Sequence, residues 1–547
     1  MVELIKKNKF NVLLLGAIFL LAVVARVALL TSFPVGFQTD EAIIGDNANF
    51  ILQTLHDTNN TYLPIQTEVF GDYNPTGTAY LTIIPIKIFG LNVFAVRSVG
   101  AVLGAITVIT VFFLALVLFK NILISFVSAG LFALSPWHIM LSRSSEQTVA
   151  ALFFIVLGFT LFIWSIRRAS RLLLLLSGVI FFISYFMYFT PRLFVPGLIL
   201  LLSILLYKKI LINKGYVAIL MVLFVSLSLF SLWLVMGQKG GAGRINQVSI
   251  FSAPEGRLIL EEQIRESGTQ NVPPVVVRMV HNKVENYAQT FIGNYLSYFS
   301  GEYLFVTGGL PMFLQTHQSG LLYIVELPFL IYGIYMLIRK KDKYAKVILV
   351  WLLFSPVIAA LTIDDIPNIR RSLMMTPAFA IITAFGVCSI PLRRKYLRII
   401  MVVVCVIYLW CVFHFFYQYF VHAKIHRPWY RNNGFSEMMK VVNQNYDKYD
   451  HIVMTKIGGG YPLVLFFSRY DPKTYLAEGA PKDQDYKGFG KFIFTPQDCP
   501  SINFNGNIQR EKTLFVDAGT CKLPTVVEEK TTVILREDGT PAFKIVN

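Results

Sequence analysis

The chain has 547 residues, of which 55% are hydrophobic and only 15% are charged. Soluble proteins carry about 25% charged residues, and this chain contains repeated apolar runs long enough to cross a bilayer, so an ordinary soluble globular protein is excluded. The formal net charge is +17. The basic residues cluster in short segments between the apolar runs and no nucleic-acid-binding motif accompanies them, which indicates membrane topology and no nucleic-acid partner.

Eleven apolar segments predict a mostly α-helical, polytopic membrane protein. The first follows Lys6, Lys7 and Lys9 and lacks a clear cleavage site, so we predict a retained helix and not a signal peptide. The third ends at Ser135-Pro136, where the proline predicts a tilted or broken helix. The predicted segments are 10–31, 93–119, 121–137, 148–166, 171–189, 193–213, 215–236, 320–338, 345–363, 372–391 and 396–420.

Every second loop between these segments is basic, and the positive-inside rule assigns such loops to the cytoplasm. We therefore expect a cytoplasmic N-terminus and an outer C-terminus, in a plasma membrane that we expect to be prokaryotic. The inner segments carry Lys6, Lys7, Lys9, Lys120, Arg167, Arg168, Arg171, Lys208, Lys209, Lys214, Arg339, Lys340, Lys341, Lys343, Lys346, Arg393, Arg394, Lys395 and Arg398.

The outer face then has two large loops, 32–92 and 237–319, and a polar tail. We divide the chain into a transmembrane domain, 1–420, and a small soluble α/β domain, 421–547. In the first loop, residues 40–56 and 78–90 mix apolar and polar positions at helical spacing, which predicts short juxtamembrane helices.

Six candidate strands and one hairpin turn are predicted in the tail. The dipeptide Asp538-Gly539 is a strong hairpin signal. Cys499 and Cys521 can form a disulfide if the tail lies outside. The candidate strands are 451–455, 463–467, 491–494, 513–516, 531–536 and 542–546.

Two adjacent carboxylates, Asp40 and Glu41, follow the first helix. At an outer membrane interface they are candidates for a general base. The alternative is a capping role, in which Thr39 or Asp40 simply starts a helix. The residues alone leave both interpretations open.

Several arginines lie at predicted outer helix ends, against the topological bias of positive charge. An arginine fork suits a phosphate near the lipid headgroups. The alternative is pairing with Glu146, Asp364 or Asp365, or snorkelling of the side chain. These arginines are Arg97, Arg143, Arg192, Arg370 and Arg371.

Other polar outer residues give weaker signals. Glu326 lies near the outer end of a predicted apolar helix, where interfacial solvation or an arginine partner accounts for it. His317 is a lone histidine on an outer loop, and no metal-ligand spacing is present. Tyr73 can stack on a sugar ring, although aromatic residues also populate membrane interfaces by default.

With these features in this order, the chain resembles the GT-C glycosyltransferases over residues 10 to 390, in the branch of protein O-mannosyltransferases and lipid A aminoarabinose transferases. The likeness rests on the carboxylates at 40–41 after a single helix, FGLNVFAVRSVG at 89–100, LSPW at 134–137 with SRS at 142–144, NIRRSLMMTPA at 368–378, and an outer C-terminal domain. Relatives often have Lys-Pro-Pro or His-Pro-Pro before the second juxtamembrane helix. Here residues 72–76 are DYNPT, so no basic phosphate contact is expected there.

The resemblance implies an inverting transfer of a sugar from a polyprenyl-phosphate donor to a hydroxyl acceptor on a lipid, cell-envelope glycan or protein. In the family the acidic residue at the position of Asp40 is catalytic. Glu41 is then expected to orient Asp40 or the acceptor. No metal or other cofactor is expected. The implied donor-phosphate ligands are Arg370, Arg371, Arg97 and Arg143, and the implied substrate-lining residues are Tyr73, Asn74 and His317.

Two other classes compete with this interpretation. A transporter or flippase predicts charged residues through mid-membrane and broken helices in symmetric pairs, whereas this sequence has few such charges and no internal repeat. A scaffold or adhesin would leave Asp40 and the outer arginines without a purpose. We therefore expect a membrane glycosyltransferase, with the transporter as the alternative.

Overall fold

The computed structural model describes residues 9–211, 213–236, 247–252, 254–391, 395–457, 460–479, 486–504, 506, 509–524 and 531–547. Four of the basic residues used for the topology lie outside the described residues, as does part of the second outer loop. These four are Lys6, Lys7, Arg393 and Arg394.

Six helices of the described chain are long and apolar enough to span a membrane, which confirms an integral membrane protein. A seventh candidate span is the helix pair Ile122–Ala133 and Pro136–Ser142, bent by 55° where the sequence predicted a break at Pro136. The six helices are Lys9–Val27, Val93–Phe119, Gln147–Arg168, Lys214–Met236, Lys343–Ala360 and Lys395–Lys424.

The other predicted segments also form helices, but shorter ones. A count of eleven membrane crossings therefore stays a prediction. The segment predicted at 320–338 becomes helical only at Leu327, so Glu326 lies in a 3₁₀ turn before the helix and not within it. The shorter helices are Arg171–Ser184, Thr190–Leu205, Tyr207–Ile210, Leu327–Arg339 and Thr376–Cys388.

The first outer loop contains the two predicted juxtamembrane helices, Thr39–Thr54 and Gly77–Phe89. Between them, β1 (Gln66–Val69) and β2 (Asp72–Pro75) form an antiparallel hairpin that the sequence did not predict. We call Thr39–Thr54 the Asp40 helix. The helices of the second outer loop are Pro254–Thr269, Pro274–Val280 and Lys283–Ser297.

The polar tail is an α/β domain with one six-stranded sheet in the order β4-β5-β3-β6-β8-β7. We call it the outer domain, and the two loops the outer loops, after the topology that the sequence predicts. The central strands β5, β3 and β6 are parallel, and the outer pairs are antiparallel. Its strands are β3 (His451–Thr455), β4 (Gly488–Phe489), β5 (Phe492–Thr495), β6 (Thr513–Ala518), β7 (Thr531–Leu535) and β8 (Pro541–Val546), and its helices are Phe435–Asn445, Gly460–Ser468, Pro472–Ala477 and Pro500–Asn503.

One predicted strand of this domain was wrong. Residues 463–467 belong to the helix Gly460–Ser468. This helix is buried on nearly every face, so its sequence is an unbroken apolar run. Periodicity cannot separate such a run from a buried strand, which is why the local pattern failed.

The structure divides into two compact units that do not follow the predicted domain boundary at residue 420. The first unit is Met1–Ala22, Gly104–Ile139 and Ala151–Val412, and the second unit is Val23–Leu103, Met140–Ala150 and Phe413–Asn547. Within the second unit, one hydrophobic core joins Phe37 and Phe50 of the first outer loop to Met438, Phe466 and Leu514 of the tail. The Asp40 helix therefore shares a core with the outer domain.

A disulfide joins Cys499 to Cys521 in the outer domain, and Cys388, Cys405 and Cys411 are free thiols. We expect denatured, unreduced protein to be alkylated at the three free cysteines only, and at all five after reduction, as measured by mass spectrometry. Replacing both bonded cysteines with serine should lower the free energy of unfolding by about 2–4 kcal/mol, because the unfolded chain loses a cross-link. Alkylation of Cys499 or Cys521 without reductant would contradict the bond.

Candidate functional site

The Asp40 helix begins with a capping box that separates the roles of the two adjacent carboxylates. Gln38 is the N-cap residue, and its backbone N–H donates to Glu41 Oε2 at 3.0 Å. Glu41 therefore caps the helix, while Asp40 does not. Asp40 is exposed in the first turn, where its negative charge faces the positive end of the helix dipole. The N-cap is thus Gln38 and neither Thr39 nor Asp40, and the Asp40 side chain is exposed to solvent.

Glu41 is a buried carboxylate held by two arginines. Its side chain is 2% exposed. Arg97 Nε lies 2.8 Å from Oε1 and Arg97 Nη2 lies 3.1 Å from Oε2. Arg431 Nη2 lies 3.2 Å from the same Oε2. Because a buried charge is costly unless it is paired and hydrogen-bonded, the two arginines compensate the carboxylate and fix its orientation.

Arg97 is fully buried, and its donors also bind the chain that precedes the Asp40 helix. Its Nη1 donates to Leu30 O at 3.2 Å and to Pro34 O at 2.9 Å, and its Nη2 donates to Gly36 O. These carbonyls lie in a loop without regular secondary structure, where they need side-chain donors. The contacts favour a positioning role for Arg97 over contact with a donor phosphate.

Arg143 makes a similar set of contacts at the end of the first helix. It is fully buried and donates to Ala25 O at 3.1 Å, Ala28 O at 2.8 Å and Phe33 O at 3.2 Å. The ring of Phe420 lies 5.3 Å from its guanidinium carbon, a cation–π distance. Arg143 thus connects the end of the first apolar helix to the last apolar helix, and these contacts again favour a positioning role over contact with a donor phosphate.

The segment 428–433, which we call the strap, leads from the last apolar helix into the outer domain and lies against the start of the Asp40 helix. Gln38 Nε2 donates to Tyr430 O at 2.5 Å, and Asn432 Nδ2 donates to Phe37 O at 3.1 Å. The strap therefore binds the residues on the N-terminal side of Asp40 as well as Glu41.

Gly36 lets the strap approach this closely. Its φ is +78°, and a Cβ at this position would lie 2.0 Å from Arg431 O. Both facts require glycine here. The sequence did not indicate Arg431, because no local pattern in the tail points to a partner 390 residues away.

The hairpin β1–β2 carries two predicted substrate-lining residues in the same unit. Tyr73 and Asn74 both lie on β2, and Asn74 is opposite Thr67 in the register. The Tyr73 hydroxyl donates to Glu68 Oε2 at 2.9 Å, and this hydrogen bond raises the pKa of Tyr73. Both side chains are half-buried, and their contact with a substrate stays a prediction.

The remaining predicted residues belong to the first unit. Arg371 Nη2 pairs with Asp364 Oδ2 at 3.0 Å, and Arg371 Nη1 donates to Thr362 Oγ1 at 2.8 Å. Arg370 lies 5.3 Å over the ring of Phe313. His317 is half-buried in the loop that precedes Leu327. The sequence left the pairing of Arg371 with Asp364 open as one alternative to phosphate binding. This ion pair fixes the partly exposed guanidinium of Arg371.

The loop with Arg370 and Arg371 is anchored through Asn368. The Asn368 side-chain oxygen accepts the backbone N–H groups of Arg370 at 2.9 Å and Arg371 at 3.0 Å. The Asn368 backbone N–H donates to the Tyr298 hydroxyl at 3.2 Å, and burial raises the pKa of Tyr298 to about 12. This network sets the backbone from which both arginines project.

The sequence analysis also missed a buried carboxyl group on the Asp40 helix. Asp46 is 2% exposed, and its Oδ2 has no hydrogen-bond partner among the residues that the structure describes. Burial raises the pKa of Asp46 well above its ordinary value. The same carboxyl group acts electrostatically on Tyr461 and Tyr475 of the outer domain. Asp46 therefore lies where the Asp40 helix packs against the outer domain.

Comparison with solved structures shows a shared fold. The chain is similar to ArnT from Cupriavidus metallidurans bound to undecaprenyl phosphate, with a TM-score of 0.56 and 11% identity over 98% of each chain. It is also similar to the oligosaccharyltransferase AglB from Archaeoglobus fulgidus in complex with an inhibitory peptide and a dolichol-phosphate, with a TM-score of 0.51 and 12% identity over 84% of this chain. The chain spans 64% of the length of AglB.

The chain therefore shares the fold of ArnT and AglB, as the resemblance implied. No family model matches the sequence, and no curated protein matches it.

A second AglB structure is a complex with Zn and sulfate, with a TM-score of 0.50, 12% identity and coverage of 83% of this chain and 61% of AglB. In this protein, no group of three or more histidine, cysteine, aspartate or glutamate side chains suited to a metal occurs among the described residues. Glu41, next to Asp40, is already bound by two arginines. These residues do not form the oxygen-rich ligand set that a divalent cation takes, so we derive no step through a metal.

Arg431 should stabilise the protein through Glu41. We expect Arg431→Gln to lower the free energy of unfolding by roughly 3–5 kcal/mol, because one partner of a buried ion pair is removed. Thermal unfolding of the purified full-length protein measures this change. The matched control is Arg427→Gln, four residues earlier and exposed, for which we expect little change. A loss no larger than that of the control would contradict the role of Arg431.

Asp46 should make stability depend on pH. The unfolded pKa of aspartate is about 3.9, and the folded pKa is raised, so between these values the folded state binds more protons and stability falls as pH rises. Asp46→Asn should therefore be more stable than the wild type at neutral pH, with the advantage shrinking toward pH 4. Melting curves over this pH range measure the difference in stability between the variant and the wild type. Asp447→Asn is the exposed control. Destabilisation at every pH would show that the carboxylate has a charged partner.

Proposed function

We propose that this protein is an inverting glycosyltransferase that moves a sugar from a polyprenyl-phosphate-linked donor to a hydroxyl acceptor on the outer membrane face. The observation that supports this most is an exposed Asp40 beside a Glu41 that two buried arginines hold in place. The fold shared with ArnT, whose structure contains undecaprenyl phosphate, supports the class of donor.

In this proposal Asp40 is the general base. It accepts the proton of the acceptor hydroxyl as the hydroxyl oxygen attacks the anomeric carbon. The bond between that carbon and the phosphate oxygen breaks, and the polyprenyl phosphate leaves with the bonding electrons. Attack opposite the phosphate inverts the anomeric centre through an oxocarbenium-like transition state. The acceptor is a lipid, a cell-envelope glycan or a protein.

Glu41 positions Asp40 in this proposal and does not contact the acceptor. Its two oxygens already accept hydrogen bonds from Gln38, Arg97 and Arg431. Asp40 precedes Glu41 directly, so the same contacts fix the turn of helix from which the base projects. General acid–base catalysis requires the base within hydrogen-bond reach of its proton, which is why such anchoring matters.

Arg370 and Arg371 are proposed to stabilise the negative charge of the leaving phosphate. Arg371 has the fork geometry for this, and its present partner Asp364 is half-exposed. A phosphate oxygen that replaces the Asp364 carboxylate keeps the Arg371 guanidinium paired with a negative charge. Arg97 and Arg143 have a positioning role in this proposal, because donors of both guanidinium groups bind chain carbonyls.

The test combines donor turnover with variants of the base. Purified protein in detergent is incubated with a panel of polyprenyl-phosphate sugars, and release of free polyprenyl phosphate is measured. We expect release with at least one donor and a loss of 100-fold or more in Asp40→Asn, since a general base contributes about 10²–10⁴-fold. Asp447→Asn, an exposed carboxylate of the outer domain, is the matched control and should keep full activity.

Arg371→Gln in the same assay should slow release of polyprenyl phosphate, and a melting curve of the variant separates this effect from the loss of its bonds to Asp364 and Thr362. Full activity of Asp40→Asn would remove Asp40 as the base. No binding and no release across a broad panel would favour the transporter or flippase class.

A further inference from the structure

A basic cavity lies in the first unit, away in sequence from Asp40. Its volume is about 360 Å³. None of the nine residues that line it is acidic. Its polar lining consists of Lys120, Arg167, Lys209, Asn213, Tyr216 and Tyr344.

The three cations come from separate parts of the chain. Lys120 follows the helix Val93–Phe119, Arg167 ends the helix Gln147–Arg168, and Lys209 lies in the short helix Tyr207–Ile210. The three cations are therefore not close together because they are neighbours in the sequence. The fold brings one cation from each of three basic segments to a single cavity.

Arg167 is held in a fixed orientation at this cavity. Its guanidinium carbon lies 3.8 Å from the ring centroid of Tyr344, and its Nη2 donates to Leu118 O at 2.7 Å. If Arg167 served only to orient the chain in the membrane, it would need neither the stacking on Tyr344 nor the hydrogen bond to Leu118. A stacked, hydrogen-bonded guanidinium is instead preorganised for a phosphate.

The surroundings leave an excess of positive charge. Asp342 is the acidic group that acts on Arg167, and it also accepts the backbone N–H of Tyr344 at 3.0 Å. One negative charge against three positive charges leaves a formal excess of two. The helix Lys214–Met236 begins beside the cavity, with Asn213 before it and Tyr216 in its first turn, so the positive end of its dipole adds to the excess.

We propose that this cavity binds the phosphate of an anionic lipid headgroup. Two of the flanking helices, Val93–Phe119 and Gln147–Arg168, end at the cavity and are candidate membrane spans. The ends of spanning helices lie at headgroup depth, where anionic lipids present phosphate. Ile166 and Ile210 supply apolar lining next to the cations, as a headgroup with attached acyl chains requires.

The test measures lipid binding and does not depend on sugar transfer. Fluorescent phosphatidylglycerol and diacylglycerol with the same chains are titrated into detergent-purified full-length protein. We expect phosphatidylglycerol to bind at least tenfold more tightly than diacylglycerol. The preference should weaken as salt rises, because the interaction is electrostatic. Asp40→Asn should bind as the wild type does, so failure of the proposed glycosyl transfer is distinguished from failure of this site.

Variants locate the binding to the cavity. Lys120→Gln with Lys209→Gln removes two exposed cations of the cavity lining, and it should weaken phosphatidylglycerol binding about tenfold without changing diacylglycerol binding. Arg167→Gln should do the same. The matched control is Lys208→Gln, the neighbouring lysine that does not line the cavity, for which binding should stay within twofold.

Three outcomes overturn the proposal. Equal binding of phosphatidylglycerol and diacylglycerol removes the phosphate as the recognised group. An equal loss in Lys208→Gln and in the double variant removes the cavity as the site. Calorimetric binding of inorganic phosphate by a protein that does not prefer phosphatidylglycerol assigns the cavity to free phosphate and removes the lipid as its source.

Discussion

The buried charge of Glu41 is the constraint on which the candidate site depends. A carboxylate removed from water costs several kcal/mol unless charged donors surround it. Arg97 and Arg431 supply those donors from the second apolar helix and from the strap. The same two arginines bring Asp40 and its helix into a defined place, since Glu41 cannot move without losing its partners.

This constraint explains why the outer domain belongs to one unit with the first outer loop. The strap holds Glu41, and the Asp40 helix packs closely on the helix Gly460–Ser468, so that a Cβ at Gly45 would lie 2.6 Å from the ring of Phe466. A boundary at residue 420 follows from hydropathy, because hydropathy records the change from apolar helix to polar tail. It does not record which polar segments share a core. The outer domain thus supports the proposed base as well as forming a separate sheet.

Hydropathy and helical spacing in the sequence predicted the long helices well, but the sequence predicted the contacts between individual residues poorly. The apolar helix at 93–119 and both juxtamembrane helices were predicted because hydropathy and helical spacing are local properties. The helix Gly460–Ser468 was missed because burial on all sides removes its periodicity. The hairpin β1–β2 was missed because its strands are only four residues long.

The candidate site was predicted only in part, because the sequence shows which residues are present but not which of them are in contact. The sequence indicates Asp40 and Glu41 as adjacent carboxylates, but it does not show which of them is buried. It also indicates arginines at outer helix ends without showing that Arg97 and Arg143 face backbone carbonyls. Arg431 and Asp46 depend on contacts between segments distant in the chain, so composition and spacing contain no signal for them.

The separation of 390 residues between Glu41 and Arg431 also sets the order in which the two residues are synthesised. Chains elongate at about 5–20 residues per second, so Arg431 emerges roughly 20–80 seconds after Glu41. Arg97, only 56 residues from Glu41, is available early and can neutralise the carboxylate while the later spans are inserted. The final arrangement around Asp40 forms only when the strap arrives, so a nascent chain that stalls before it has a first outer loop held by one arginine instead of two.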